Sequence, residues 1–301
     1  MRRRFVTADV FTDRLFGGNP VAVVLDAEGL TDSAMQAVAS EFNLSETTFV
    51  LPPRDPAHTA RIRIFTPRVE VPFAGHPNVG TAFVLARLMA ARGEALPDAF
   101  TFEEAAGLVP VRLLFEEGGV VGAELTAPQP LSRRGRVSPD AAAALLSVRT
   151  QDVRTDTHGP EVASVGLPFL VVELASREAL RRAKPDLAAY GAHLPLGGAD
   201  AVYAYTRDAA GEPGTDIQAR MFSPLDGIVE DPATGSATAA ATGLLAELRG
   251  VPELALRVGQ GVDMGRPSRL LARAARGADG RLTATVGGRC VPAMEGTLAL
   301  P

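Results

Sequence analysis

The chain has 301 residues, 46% of them hydrophobic and 22% charged, which is the composition of a globular protein with room for two domains. Its net charge of −5 and pI near 5.5 argue against a nucleic-acid-binding protein, which would need a basic surface. No run approaches the roughly 18 apolar residues of a membrane span. The single cysteine, Cys290, permits no internal disulfide, so we expect a cytoplasmic protein with no membrane or nucleic-acid partner.

The first half of the chain predicts strands around one buried helix. Thr31 to Phe42 has helical spacing and begins with residues that can cap a helix N-terminus. Val79 to Ala91 is apolar on nearly every face, so a helix there has to be enclosed, and the strands around it are its natural wrapping. Strand-like runs rich in β-branched and aromatic residues cover 5–10, 21–25, 47–51, 60–65, 108–115 and 120–126.

The second half has the same character. Pro128 to Arg136 is predicted as the crossover between the halves, and Pro139 to Leu146 as a short helix. Ser236 to Leu248 matches the buried helix of the first half. Predicted strands cover 162–174, 201–205, 254–258, 268–272, 282–286 and 296–300, and the last four of these either close the second sheet or return to the first.

Two segments occur twice. The sequence at 63–67 returns at 220–224, an offset of 157 (220 − 63), and 76–82 resembles 231–237, an offset of 155 (231 − 76), which places His76 opposite Asp231. A period this long indicates two domain-sized halves. We therefore predict an α+β fold of two pseudo-symmetric lobes, each a barrel-like curved sheet around one central helix, with a cleft between them. The predicted domains are 1–127 with 288–301, and 128–287.

Both repeated turns directly precede a buried helix. Helix N-termini present unpaired N–H groups and a partial positive charge, and they bind carboxylates or phosphates. The donors would come from 74–81 in one half and 233–237 in the other. The alternative is that their glycines only let a helix start against a sheet. Neither turn ends in Gly-Lys-Ser/Thr, so a phosphate loop is not expected.

Three titratable residues are candidates for proton transfer. Glu46 opens an apolar strand and is either a half-buried acid/base or, as the residues alone favour, a solvated strand-edge glutamate. Asp231 could equally be a helix cap, and His76 lies in no pattern of metal ligands. No Gly-x-Ser-x-Gly or Gly-x-Gly-x-x-Gly sequence supports a serine hydrolase or a nucleotide cofactor. Cys290 is expected to serve packing.

Five short motifs resemble those of the PhzF-like (phenazine-biosynthesis) family, within the diaminopimelate-epimerase-like superfamily. They are Phe16-Gly17-Gly18-Asn19-Pro20, Asn43-Leu44-Ser45-Glu46-Thr47, Pro72-Phe73-Ala74-Gly75-His76-Pro77, Asp231-Pro232-Ala233-Thr234-Gly235-Ser236-Ala237 and Gly265-Arg266-Pro267-Ser268.

The resemblance implies a homodimeric isomerase without metal or organic cofactor, acting on a small carboxylate substrate. It makes Glu46 the acid/base, with His76, Asp231 and Ser236 lining the site. Further substrate-binding candidates lie in the same motifs, namely Asn19, Gly75, Thr234 and Gly235.

One difference from the superfamily pattern limits the reactions that this chain can catalyse. Superfamily epimerases and racemases use two cysteines, whereas here the corresponding turns offer Ala74 and, roughly, Pro232, so inversion by a thiol pair is excluded. A single carboxylate can still move a proton on one face of the substrate. Epimerisation by Glu46 with a second, non-thiol base stays open, and so does a carboxylate-binding protein that has lost catalysis.

Overall fold

A computed structural model describes residues 2–209, 211–212 and 214–300, so Met1 and Pro301 at the ends of the first predicted domain lie outside the described residues. The chain forms two compact units. Unit 1 comprises Met1–Thr126 and Gly287–Pro301, and unit 2 comprises Ala127–Val286. Each unit is α+β, and in each a curved sheet surrounds one central helix.

Unit 1 contains two helices and a closed barrel. The helices are α1 (Asp32–Phe42) and α2 (Gly75–Ala91). The strands are β1 (Arg2–Val10), β2 (Asn19–Val24), β3 (Glu46–Leu51), β4 (Ala60–Phe65), the short β5 (Glu70–Val71), β6 (Ala99–Glu104), β7 (Gly107–Glu116), β8 (Gly119–Thr126) and the later part of β17 (Leu282–Ala299).

The barrel closes because each of its eight strands pairs with two others. The pairs run β1–β2, β2–β3, β3–β4, β4–β6, β6–β7, β7–β8, β8–β17 and β17–β1; β2–β3 and β4–β6 are parallel and most others antiparallel. β5 adds a short antiparallel ladder to β4 and leads directly into α2.

Helix α2 is the core of the barrel. Its N-terminal two-thirds are almost wholly buried, as the uniform apolar character of the segment predicts. Gly80 permits the close packing of α2 on the barrel wall, because a Cβ there would lie 2.5 Å from Val21 Cγ1 and 2.8 Å from Val10 Cγ2. Helix α1 covers the outside of the barrel, and its predicted cap is confirmed: Thr31 Oγ1 accepts a hydrogen bond from Ala34 N at 3.2 Å.

Unit 2 has the same arrangement of a curved sheet around one central helix. Its helices are α3 (Pro139–Leu145), α4 (Arg177–Arg182), α5 (Leu187–His193) and α6 (Gly235–Arg249). Its strands are β9 (Ser132–Arg136), β10 (Glu161–Ser164), β11 (Pro168–Glu173), β12 (Val202–Thr206), β13 (Ile217–Ser223), the short β14 (Ile228–Asp231), β15 (Glu253–Gln260), β16 (Ser268–Arg276) and the start of β17.

The pairing types of unit 2 follow the order found in unit 1. Strands β10 to β13 pair antiparallel, parallel and antiparallel, as β1 to β4 do, and β13 then pairs with β15 in parallel, as β4 does with β6. β14 adds a short ladder to β13 and leads into α6. Helix α6 is enclosed like α2, while α3, α4 and α5 pack on the outside and share a second apolar core with the sheet.

Some sequence expectations are wrong in detail. The predicted crossover at Pro128 to Arg136 contains β9, which pairs with β10. Both central helices begin earlier than predicted, at Gly75 and Gly235. For the four last predicted strands the sequence left the choice of sheet open, and the run at 296–300 returns to unit 1, where β17 pairs with β1.

Candidate active site

The turn before α2 places several polar side chains at one end of the unit 1 barrel. Ala74 is the N-cap residue and has no side chain to cap the helix, which begins at Gly75. Pro77 fits the first helical turn because its missing N–H would have no partner there. His76 and Asn78 are buried, at 5% and 0% exposure, so their polar atoms lie inside the protein rather than in solvent.

Glu46, His76 and Asn19 meet at this end of the barrel. Glu46 Oε2 lies 3.4 Å from His76 Nδ1, and Asn19 Nδ2 lies 3.4 Å from the same nitrogen. Glu46 is the first residue of β3 and Asn19 the first of β2, two strands that pair in parallel, so their starts lie side by side. The side chain of Glu46 is 16% exposed, which contradicts the alternative of a solvated strand-edge glutamate.

His76 is a neutral imidazole in this setting. Burial lowers its pKa to about 3, and a backbone hydrogen bond to Pro20 opposes this shift only in part. A neutral ring offers one donor and one acceptor nitrogen. In the tautomer with the proton on Nδ1, the ring can donate a hydrogen bond to an ionised Glu46. In the other tautomer, Nδ1 can accept a hydrogen bond from a neutral Glu46, so each tautomer suits one protonation state of the carboxyl.

In unit 2 the turn before α6 is held by side chains of its own. Thr234, the N-cap residue, donates from Oγ1 to Asp231 Oδ2 at 2.6 Å. Gln260 accepts from Thr234 N at 3.1 Å and donates from Nε2 to Asp231 O at 2.8 Å. Asp231 is 6% exposed, and at least one of its carboxylate oxygens braces the turn.

The carbonyl group of Pro232 is also held in place within this turn. Ser268 Oγ donates to it at 2.9 Å. Gly261 has a φ of +72°, and a Cβ there would lie 2.6 Å from the same carbonyl oxygen, so only glycine fits. This contact explains the serine of the Gly265-Arg266-Pro267-Ser268 motif. Sequence reasoning missed Gln260, although its place just before Gly261 at a strand end was visible.

The sequence candidates therefore form one group in each unit. Asn19, Glu46, Gly75 and His76 lie together at the N-terminus of α2. Asp231, Thr234, Gly235 and Ser236 lie together at the N-terminus of α6, where Ser236 is half-buried in the first turn.

The sequence alignment of the two turns is wrong by five residues. Helix α2 begins at Gly75 and α6 at Gly235, an offset of 160 (235 − 75) rather than 155. The strands agree, since Val71 pairs with β4 as Asp231 pairs with β13. His76 therefore corresponds to Ser236, and Asp231 has no titratable counterpart.

This register also locates the missing thiols. The residues before the two helix-opening glycines are Ala74 and Thr234, not Ala74 and Pro232. Cys290 lies on β17 opposite Val10, and burial raises the pKa of its thiol to about 12. The thiol is therefore protonated at neutral pH and serves packing.

Neither a metal-binding cluster nor a membrane-spanning helix occurs in the described part of the chain. No three side chains of His, Cys, Asp or Glu within residues 2–209, 211–212 and 214–300 are grouped to hold a metal ion. Over the same ranges, no helix has both the length and the apolar character needed to cross a membrane.

Comparison with known proteins identifies the family. The phenazine biosynthesis-like (PhzC-PhzF) family matches residues 8–296. The chain belongs to this family. An uncharacterized isomerase of Mesorhizobium japonicum is 38% identical to it over 303 residues, covering 98% of each chain. A trans-2,3-dihydro-3-hydroxyanthranilate isomerase of Pseudomonas aeruginosa is 38% identical over 283 residues, covering 93% of each.

A solved structure shows the same fold. The chain resembles a PhzF-family protein of Bacillus anthracis with a TM-score of 0.87, at 24% identity and over 99% of both chains. Together with the named relatives, the family assignment establishes an enzyme of the isomerase or epimerase type.

Proposed function

We propose that this PhzF-family enzyme is a cofactor-independent isomerase that moves a proton on a small carboxylic acid, with Glu46 as the general acid/base. The observation that carries the proposal is the 3.4 Å approach of Glu46 to the buried, neutral His76 at the N-terminus of α2. A base must lie near a helix N-terminus if it is to remove a proton beside a bound carboxylate, because charge then develops beside the N–H groups that stabilise it.

The reaction needs one base that releases its proton again. Ionised Glu46 takes a proton from a substrate carbon and becomes a neutral acid. In the tautomer with the proton on Nε2, His76 Nδ1 can then accept a hydrogen bond from that acid, and Asn19 Nδ2 on β2 lies 3.4 Å from the same nitrogen. When Glu46 returns the proton to another carbon of the same π system, the double bond has moved and no group has been oxidised or reduced.

The group in unit 2 is proposed to bind a carboxylate. Ser236 and the first N–H groups of α6, from Gly235 onward, are of the type that holds a carboxylate. The bond from Thr234 to Asp231 supports a mainly structural part for this aspartate, while a part in proton relay remains the sequence-based prediction.

The name of one relative supports a proposal for the substrate class. The Pseudomonas aeruginosa relative is named for trans-2,3-dihydro-3-hydroxyanthranilate, a cyclic unsaturated carboxylic acid, and a substrate of this kind is proposed here. A cytoplasmic location and a homodimer are predictions from the sequence and its resemblance that go with this proposal.

Replacement of Glu46 by Gln tests the proposal. The variant keeps the shape of the side chain but cannot take up a proton, so turnover should fall by about 10²- to 10⁴-fold. Incubation in ²H₂O with trans-2,3-dihydro-3-hydroxyanthranilate and related cyclic acids, followed by mass spectrometry, measures deuterium incorporation at carbon.

Glu41→Gln is the matched control, because Glu41 lies exposed on α1, five residues before Glu46. It should exchange deuterium at the parent rate. Equal exchange by the Glu46 and Glu41 variants would remove Glu46 from the mechanism. Exchange without net isomerisation would instead favour epimerisation.

A further inference from the structure

The loop at 261–267 in unit 2 lies directly against the turn before α6. It connects β15 to β16, and it meets the carbonyl of Pro232 at both ends. Ser268 Oγ donates to that oxygen at 2.9 Å, and a Cβ on Gly261 would lie 2.6 Å from it. Arg266 N donates to Gly261 O at 3.0 Å, which closes the loop on itself. A displacement of the loop is therefore coupled to a displacement of the turn.

The middle of this loop is bound to helix α4. Arg177, the first residue of α4, donates from Nη1 to Asp263 Oδ2 and from Nη2 to Asp263 Oδ1, both at 2.9 Å. The two side chains are only 22% and 17% exposed, and two parallel bonds are the geometry in which an arginine–carboxylate pair contributes most. Arg177 N also donates to Asp208 Oδ2 at 2.9 Å, which fixes the start of the helix.

The helix itself does not explain an arginine at this position. A positive charge in the first turn lies at the positive end of the helix dipole, where it is unfavourable. The equivalent residue of unit 1 is Asp32, which has the favourable charge. The equivalence holds because α1 and α4 each follow the first strand of a parallel pair and begin after a capping hydroxyl, that of Thr31 or Ser176. The arginine is thus explained by its partner in the loop.

Unit 1 has a much shorter connection at the corresponding place. Only Ala105 and Ala106 join β6 to β7, whereas residues 261–267 join β15 to β16. The first residue of the outer helix in unit 1 binds a strand instead, since Asp32 Oδ1 accepts from Arg63 Nη1 at 2.7 Å. Unit 2 thus has both the longer loop and an ion pair from the outer helix that reaches it.

The same ion pair approaches the strand that leads into the turn. Asp263 Oδ2 lies 4.0 Å from Nε of Arg220, and Arg220 binds Glu230 on β14 through two bonds of 2.7 Å. Glu230 directly precedes Asp231, whose carboxylate accepts from Thr234 Oγ1 in the N-cap turn. Arginines and carboxylates therefore alternate from α4 to the turn.

We propose that Arg177 is a positioning residue for the turn that binds a carboxylate in unit 2. Through Asp263 it holds the loop at 261–267 against Pro232. The turn so held keeps the first N–H groups of α6, from Gly235 onward, in the geometry that a small carboxylate ligand needs. The part that concerns the ligand rests on the proposed function, whereas the bracing of the turn does not, so the two can fail separately.

Arg177→Gln is the decisive variant, because glutamine cannot form the two charge-assisted bonds and removes the unfavourable charge from the helix start. Hydrogen–deuterium exchange followed by mass spectrometry, without any ligand, should be faster than in the parent in peptides covering 232–238 and 261–268. Peptides from β11 and from unit 1 should exchange as in the parent. Parent-like exchange at 232–238 would overturn the proposal.

Arg181→Gln is the matched control. Arg181 binds Glu178 Oε2 and Oε1 at 2.9 and 3.1 Å, but both residues belong to α4, so this pair does not reach the loop. Its exchange at 232–238 and 261–268 should equal that of the parent. Faster exchange there in this control as well would show that any change on α4 loosens the turn, which would refute a specific role for Arg177.

Binding of anthranilate tests the link to the ligand. This aromatic carboxylate is related to the proposed substrate, and its fluorescence is not masked in a chain without tryptophan. Arg177→Gln should bind it about 10-fold more weakly, as the loss of a supporting contact behind a ligand-binding group does elsewhere. Arg177→Lys keeps the charge but not the two parallel bonds and should fall between, while Arg181→Gln should match the parent.

Asp263→Asn shows whether the two partners act as one unit. Combined with Arg177→Gln, it should weaken anthranilate binding no further than either single variant does, whereas additive losses would mean that Arg177 acts by another route. Unchanged affinity in Arg177→Gln despite faster exchange would overturn the positioning role. A parent protein that binds no anthranilate, with faster exchange in the variant, would count against the carboxylate site of the proposed function and leave the brace standing.

Discussion

At the scale of single residues, the site depends on an imidazole that burial keeps neutral. His76 faces Glu46 as an uncharged ring, and an imidazolium would instead form an ion pair that weakens the carboxylate as a base. Ser268 and Gly261 act differently, since they fix one carbonyl of the unit 2 turn and have no part in proton transfer. The residues proposed for proton transfer are thus distinct from those that hold the backbone of the turns.

His76 should remain neutral down to about pH 4. Its pKa falls from about 6.5 in the unfolded chain to about 3 when folded, so folding releases a proton between these values. Stability is therefore lost as pH falls below 6.5, at about 1.4 kcal/mol per pH unit for one proton. Urea unfolding of His76→Asn between pH 4 and 7 should show a flatter pH dependence than the parent.

His193→Gln is the control, because His193 is exposed in the last turn of α5. It should leave the pH dependence of unfolding as it is in the parent. A His76→Asn curve with the parent slope would mean that His76 takes up its proton in the folded state as readily as in the unfolded chain.

At the scale of elements, an arginine–glutamate pair braces the short strand before each central helix. Arg63 binds Glu70 through Nε and Nη2 at 2.7 and 2.6 Å. Arg220 binds Glu230 in the same way, at 2.7 Å for both bonds. The glutamates lie on β5 and β14, which lead into α2 and α6, so each pair anchors a turn of the candidate site.

The two pairs should differ in their contribution to stability. Arg220 also donates from Nη1 to the carbonyls of Leu180, Arg181 and Ala183 and is 9% exposed. Lysine cannot make these bonds together, so Arg220→Lys should cost about 3 kcal/mol. Arg63→Lys, with more solvent-exposed partners, should cost less than about 1 kcal/mol. Urea unfolding followed by circular dichroism measures both, and equal losses would refute the distinction.

The sequence could predict most helices and strands but not which positions of the two halves correspond. Thr31 and the apolar periodicity located α1, and continuous burial located α2 and α6, because these signals are local. Helices α4 and α5 were missed although Ser176 and Asp186 cap them, since two-turn helices depend on packing rather than on propensity.

The same limit applies to the site. Motif resemblance brought out Glu46 and His76, but Gln260 was missed because it lies in none of the five motifs. Its contacts with the turn before α6 depend on the pairing of strands distant in sequence. The five-residue error between the turns arose because Gly80 and Gly235 look alike in sequence, and only strand pairing shows that Gly75 is the true counterpart.

At the scale of the whole molecule, the two units share one order of strand pairings around a central helix, and the last strand of the chain pairs with the first. Residues 287–299 return to unit 1, where those from Cys290 to Ala299 pair with β1 along its whole length. Unit 1 therefore cannot close its barrel from residues 2–126 alone, whereas unit 2 is a continuous segment. The chemistry proposed for Glu46 thus depends on the last strand of the chain.

Removal of residues 287–301 should consequently unfold unit 1 selectively. The truncation leaves β1 and β8 with exposed edges and uncovers the buried side chains that β17 covers. Limited proteolysis with mass spectrometry should find cleavage throughout 2–126, while 127–286 stays protected. Removal of 297–301 alone is the control, because Phe5↔Gly296 and the pairs beyond it toward Val10 persist. If the longer truncation left both units equally protected, β17 would be an accessory to the barrel rather than its closing strand.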